Sequence, residues 1–329
     1  LYGMQPFGGD TTFLPSGSLL IPDAVLDTQY VAVLPPATPG PGWAQIVSLA
    51  NDTRITITPR VALPAADAIP ALPASVESNF MLNGGQVVQW RLENNTDMSG
   101  SLVVSDQPIA FFSGSGYSCY TSSTSNGGGC DSEHEMIPPV STLGHEYVAA
   151  PYPDRGPVAE ALNYRIVGVV DGTTLTFDPA IAGAPSTLNA GTVADFEAVG
   201  PFRVSSQDAE HPIYVGQMMT GAINMVGDEE FVNVIPTAQY AKEYALFADT
   251  EFSTTSLTFV RVVTAERPAH GVALGGEPDR CSGSGDEPAG TEGGGGAEEG
   301  SPVNHRGAPP GRPRRRNRRS GAAVVGRCG

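Results

Sequence analysis

The element IPDAVLDTQY (21–30) returns as IPPVSTLGHEY (137–147) and again as IPTAQYAKEY (235–244). Each has an apolar residue, a proline, a spacer of seven or eight residues, and a tyrosine that opens an apolar run. A recurrence of this kind constrains the fold before any single element is considered. The match continues downstream. NDTRITITP (51–59) aligns with DGTTLTFDP (171–179), MLNGGQVVQW (81–90) with TLNAGTVADF (187–196), and Pro108-Ile109 with Pro212-Ile213. The repeat is about a hundred residues long, which is the size of a domain and too long for a solenoid unit. Insertions such as the Pro/Ala-rich loop 63–78 account for the drift in spacing.

Within each copy the apolar residues alternate. In RITITP, Ile55 and Ile57 point one way and Arg54, Thr56 and Thr58 the other; Leu175 and Phe177 repeat the pattern. Period two is the mark of a half-buried strand. YVAVL, AQIVSLA, VVQWRL, SLVVS and PIAFF follow at short intervals, each gap punctuated by Gly, Pro, Asn or Asp. Asn83-Gly84 and Asp171-Gly172 are expected as hairpin turns. Pro59, Pro108, Pro179 and Pro212 fall at strand edges, where a missing N–H does little harm. The expected class is all-β: tandem antiparallel β-sandwich-like repeats, with a propeller-like array of β-blades as the alternative. The expected layout is repeat 1 at 1–116, a linker loop at 117–136, repeat 2 at 137–228 and the truncated start of repeat 3 at 229–265.

The third copy stops abruptly. After LTFVRVVTAE (257–266) a Thr-rich strand is due, but the chain reads RPAHGVALGGEPDRCSGSGDEPAG. Residues 266–329 contain no Phe, Tyr, Trp, Ile or Met, so this Gly/Pro/Arg-rich tail is expected to be disordered. A reading-frame slip near codon 266 would explain it; a basic tail for nucleic acid or membrane is the alternative. Resequencing the locus decides between them, since an intact frame ends the slip idea.

Charge is uneven. Residues 1–265 hold 8 Lys+Arg against 27 Asp+Glu, and residues 266–329 hold 10 against 8. An acidic body repels phosphate, so nucleic acid is not an expected partner. No window of eighteen apolar residues is present, so no transmembrane segment is expected. Catalytic motifs are missing too: FSGSGYS has the composition of a nucleophile elbow in the wrong order, and there is no phosphate loop or dinucleotide fingerprint.

IPPVSTLGHEYVAAPY, VVDGTTLTFDP, LNAGTV, FRVSSQDAEHPIYVGQMMTG and DEEFVNVIPTAQY together resemble the IgGFc-binding-protein N-terminal-like domain family, over roughly residues 10–265. The GC-rich-looking composition fits its bacterial, myxobacterial-type branch. The resemblance implies a secreted or cell-surface, non-enzymatic binding or adhesion module. Its partner would be an extracellular protein or a glycan or mucin-like ligand. A cell-envelope spacer and, less favoured, a hydrolase with a site between repeats are the alternatives.

Cys119 and Cys130 bracket YTSSTSNGGG, and in an exported chain they are expected to form a disulfide; free thiols are the alternative. Just beyond lie Asp131, Glu133, His134 and Glu135, with His145 and Glu146 near in sequence. Carboxylates can hold calcium, and His with carboxylates can hold zinc. Neither a calcium-loop spacing nor HExxH is present, so a solvated linker face is expected. No cofactor is expected, with calcium as the one candidate ion.

Overall fold

A computed structural model of the chain describes residues 2–6, 15–36, 39–221, 227–242, 257–262 and 323–328. Among the described residues the regular structure is strand, with three short 3-10 turns and no α-helix. Among these residues no helix is long and apolar enough to cross a membrane, a statement that does not extend to β-barrels.

Strands β1 (Tyr2–Pro6) and β2 (Pro15–Leu19) pair with each other and precede two matching halves. The first half comprises β3 (Gln29–Val31), β4 (Gly42–Ser48), β5 (Thr53–Thr58), β6 (Ser78–Leu82), β7 (Val87–Arg91), β8 (Leu102–Ser105), β9 (Ile109–Ser118) and β10 (Asp131–Ile137). The second comprises β11 (Glu146–Ala149), β12 (Ala161–Gly168), β13 (Thr173–Asp178), β14 (Thr187–Leu188), β15 (Val193–Val199), β16 (Phe202–Ser206), β17 (Ile213–Met219) and β18 (Glu230–Asn233). The first half forms two four-stranded sheets, β3-β8-β5-β6 and β10-β9-β4-β7. The second forms β11-β16-β13-β14 and β18-β17-β12-β15, the same orders strand for strand. Registers agree as well. Ile46 faces Phe111 and Val88, and Ile166 faces Val215 and Ala194.

The sheets of each half close over one core. In the first, Tyr30, Ile55, Ile57 and Val103 of one sheet meet Ile46, Val88, Trp90 and Phe111 of the other. In the second, Tyr147, Leu175 and Val204 meet Tyr164, Ile166, Phe196 and Val215. Rings cross the gap edge to face: Tyr164 on Phe202 at 4.7 Å and Phe177 on Phe196 at 5.5 Å. Four small sheets in series suit the blade-like expectation, while the core shared within each pair is that of a sandwich. The first core also takes in Val167, Tyr214, Met218 and Phe231 from the second half. Leu1–Thr254 accordingly forms one compact unit.

The recurring Ile-Pro…Tyr element has a physical role. Pro22, Pro139 and Pro236 each hold an extended φ/ψ and lead a 3-10 turn, at Asp23–Val25, Val140–Thr142 and Thr237–Gln239. Pro139, not Pro138, is therefore the equivalent proline, and a spacing of eight to the tyrosine holds throughout. The tyrosines lock the turn to the sheet. Tyr30 Oη donates to Ile109 O and Tyr147 Oη to Ile213 O, each at 2.6 Å. The Asp27 and Gly144 amides donate back to those hydroxyls. Tyr244 lies outside the described residues.

Four expectations need correcting. Asn83-Gly84 and Asp171-Gly172 do not close hairpins: each carries the chain from one sheet of its half to the other. Residues 117–136 are not a loop throughout, because β10 begins at Asp131 and pairs with β9. Likewise β18, assigned to a third copy, completes the second half's sheet by pairing with β17. Of the tail expected to be disordered, Ala323–Cys328 forms β20, which pairs with β19 (Leu257–Val262) in a separate unit. That segment holds the tail's apolar, β-branched AVV run. The rest of 266–329 lies outside the described residues.

Candidate functional site

The sequence candidates converge on β10, but the setting is the opposite of a solvated face. All seven residues from Asp131 to Ile137 are buried. Polar groups this far from water must find partners, and here they come from elements far apart in sequence. Ser16 Oγ meets His134 Nδ1 at 2.8 Å. Ser18 Oγ donates to Glu135 Oε2 at 3.2 Å and accepts from the Met136 amide at 2.9 Å. Asn233 Nδ2 of β18 donates to Glu135 Oε2 at 2.8 Å and to Met136 O at 3.1 Å. The Tyr120 hydroxyl donates to Glu133 Oε2. Among the described residues Glu133 Oε1 has no hydrogen-bond partner.

Two carboxyl groups that the sequence did not single out join this junction. Glu229 Oε1 accepts from the Tyr120 amide at 3.3 Å, and Glu230 sits in β18 at the register of Glu133. Crowding acids in a dry place favours their neutral form. Burial, then the charge of Glu230, pushes Glu135 up to about 9. Burial and the Asp131 charge push Glu230 to about 7. Asp131 rises to about 6, chiefly by burial. Burial drives Glu133 well above the usual carboxyl range, raises Glu229, and lowers His134. At neutral pH, Glu135 is thus held as a neutral acid.

His145 and Glu146 do not join them. Glu146 faces Arg203 at 3.5 Å and accepts from Thr237 Oγ1 at 3.0 Å, at the start of β11. Among the described residues no group of three or more His, Cys, Asp or Glu is arranged to hold a metal ion.

Cys119 and Cys130 are bonded, with Cα atoms 4.6 Å apart. The loop they close lies across the second half. Thr121 O accepts from Asn163 Nδ2 at 2.9 Å, Thr124 Oγ1 from the Ala161 amide at 2.8 Å, and the Ser123 amide donates to Glu197 at 3.0 Å. A second clasp centres on Arg165 of β12, which is buried. Its guanidinium donates to Leu34 O at 2.6 Å, Asp97 Oδ2 at 2.7 Å and Ser99 Oγ at 3.1 Å in the first half, and to both Asp195 oxygens at 2.8 Å. Burial alone would disfavour the charge, but the Asp195 hydrogen bonds and both carboxylates outweigh it and hold Arg165 protonated.

An open concave surface of about 730 Å3 lies elsewhere, on the first half, lined by Pro41, Leu63, Pro64, Arg91, Glu93 and Asn94. It borders the main difference between the halves, the segment 59–77 between β5 and β6, where the second half has only 179–186. That insertion folds on itself. Leu63 and Leu72 exchange both backbone hydrogen bonds, as do Ala66 and Ile69, and all four side chains are buried.

A family model described as IgGFc binding protein matches residues 16–293. The chain belongs to the IgGFc-binding protein family. A human IgGFc-binding protein is 28% identical over 233 residues, which are 70% of this chain and 4% of that protein. The chain thus spans a small fraction of that relative. No solved structure matches it.

Proposed function

We propose that this chain is a non-catalytic extracellular binding module whose ligand is a protein. Family membership across most of the chain is the observation that supports it. The ligand surface is placed at the 59–77 insertion and the neighbouring turn 91–96, because this is where the two halves part company and where an open groove lies. Loops displayed by a rigid sheet scaffold are the usual seat of recognition. The buried acids of β10 have a structural part in this proposal: they join the halves and meet no ligand.

The test is surface plasmon resonance of the full chain over immobilised immunoglobulin Fc, mucin and a polysaccharide. Saturable binding to a protein surface is expected, weakened at least tenfold by Arg91→Glu with Asn94→Lys while melting is unchanged. Absence of saturable binding to any protein, or binding to polysaccharide alone, contradicts the proposal.

A further inference from the structure

The outer face of β12 and β15 is committed to the first half. Val167 is fully buried in the first core, Arg165 reaches Leu34, Asp97 and Ser99, and the Gly191 turn lies against Gly100. At the same register positions the residues of β4 are half-buried and those of β7 exposed. Gln45 stands for Arg165, Gln89 for Asp195, Val47 for Val167, Val87 for Val193 and Gly85 for Gly191. Gln89 is exposed and Val87 is 47% exposed. A Cβ at Gly191 would meet Gly100 O at 2.6 Å, whereas one at Gly85 would meet nothing within 4 Å.

The β1–β2 pair stands where the end of another copy would stand. Counting back from the three turn prolines makes Leu19, Met136 and Asn233 equivalent. Leu19 pairs with Tyr2, Met136 with Phe112 and Asn233 with Gly216, so β1–β2 matches β9–β10 and β17–β18 in register. The neighbours match too. Ser16 and Ser18 of β2 bond to His134 and Glu135 of β10, and β10 in turn accepts from Asn233 of β18. From β2 to β10 to β18, one equivalent strand follows another.

We propose that the outer face of β4 and β7 is a docking surface for a further copy of the same repeat, carried N-terminal to the first half, with β1–β2 as the last strand pair of that copy. The occupant is named by continuity with the interface already present: it would present the surface that the first half presents to β12 and β15. This holds whatever the module binds.

The test extends the full chain by a duplicate of residues 20–110, which carries Leu34, Asp97 and Ser99, placed ahead of Leu1 so that Leu1 falls at the register of Phe111. Two readouts are taken, thermal melting and hydrogen exchange of the Val87–Arg91 amides. The expected result is a single melting transition, slower exchange in β7 than in the parent chain, and a Val87→Asp substitution that the parent tolerates but that lowers the midpoint of the extended chain by several degrees. An added copy that melts separately, or leaves β7 exchange unchanged, or makes Val87→Asp equally silent in both chains, overturns the proposal.

Discussion

The outer faces of β4 and β12 share a register and have different fates. On β4 the pair Gln45–Gln89 is neutral, and its amides bond each other at 3.0 Å near solvent. On β12 the corresponding pair, Arg165–Asp195, is charged and turned into a junction. The same divergence marks the last strand of each half. Glu135 in β10 occupies the position that Val232 holds in β18, while Glu133 and Glu230 coincide. The two halves supply equivalent scaffolds, and a few polar differences decide which surfaces become interior. Buried polar groups need several partners at once, so they fix one relative placement of the halves, whereas apolar contacts alone tolerate several.

The largest expected effect is on pH dependence. Glu135 and Glu230 titrate above their ordinary value of 4.5 in the folded chain, and Asp131 above 3.8. The native state therefore binds more protons than the unfolded one across this range, and stability falls as pH rises. The fall begins near pH 4.5 and levels off above each folded value. Glu135 alone contributes about 1.4 kcal/mol per pH unit over its interval. Urea denaturation at steps from pH 5 to pH 9 should show the decline, and Glu135→Gln should flatten it. A chain that gains stability over this range would break the contrast between β10 and β18.

Next comes the contrast at β12 and β4. Arg165→Ala should cost about 3 kcal/mol, the low end for breaking a buried pair, because Asp195 is half exposed and regains water. Gln45→Ala should cost under about 0.5 kcal/mol, because this half-buried residue gives up one neutral hydrogen bond near solvent. Chemical denaturation of the two variants side by side measures the difference.

Opening the Cys119–Cys130 loop by paired serine substitution should cost about 2–3 kcal/mol through chain entropy alone. Hydrogen exchange should then rise at Ala161 and Asn163, where the loop crosses the second half. A change confined to residues 119–130 would show that the loop is only an ornament of the first half.

The smallest effect sharpens the comparison of the two glycine turns. Gly85→Ala and Gly191→Ala share a left-handed backbone, with φ of 79° and 72°, which costs about 1–2 kcal/mol for any L side chain. Only Gly191→Ala adds a clash, with the Gly100 carbonyl. Its melting point should fall further than that of Gly85→Ala, and equal losses would mean that the turns are not differently packed.

Much of the fold was legible in the sequence because repetition and alternation are local signals. RITITP and LTF read as half-buried strands and became β5 and β13, and the Ile-Pro…Tyr element marks the entry to each half. What escaped was whatever depends on distant partners. DSEHEMI has no period-two apolar face, so it reads as solvated; it is buried because Ser16, Ser18, Tyr120 and Asn233 bring matching polar atoms. Glu229 and Glu230 gave no hint of joining it from some ninety residues away. Arg165 did leave a trace, since aligning ALNYRIVG with GWAQIVS sets an arginine where the first half has a glutamine. Nothing within either stretch tells that the arginine points at the other half.

The central claim is that two matching halves are locked into a single body by polar side chains centred on Arg165 and on β10. Scanning calorimetry of the full chain at pH 5 tests it most directly. The account predicts one transition for the two halves, with calorimetric and van't Hoff enthalpies in agreement, which splits into two in Arg165→Ala at pH 9. Two independent transitions in the unaltered chain at pH 5 would contradict it.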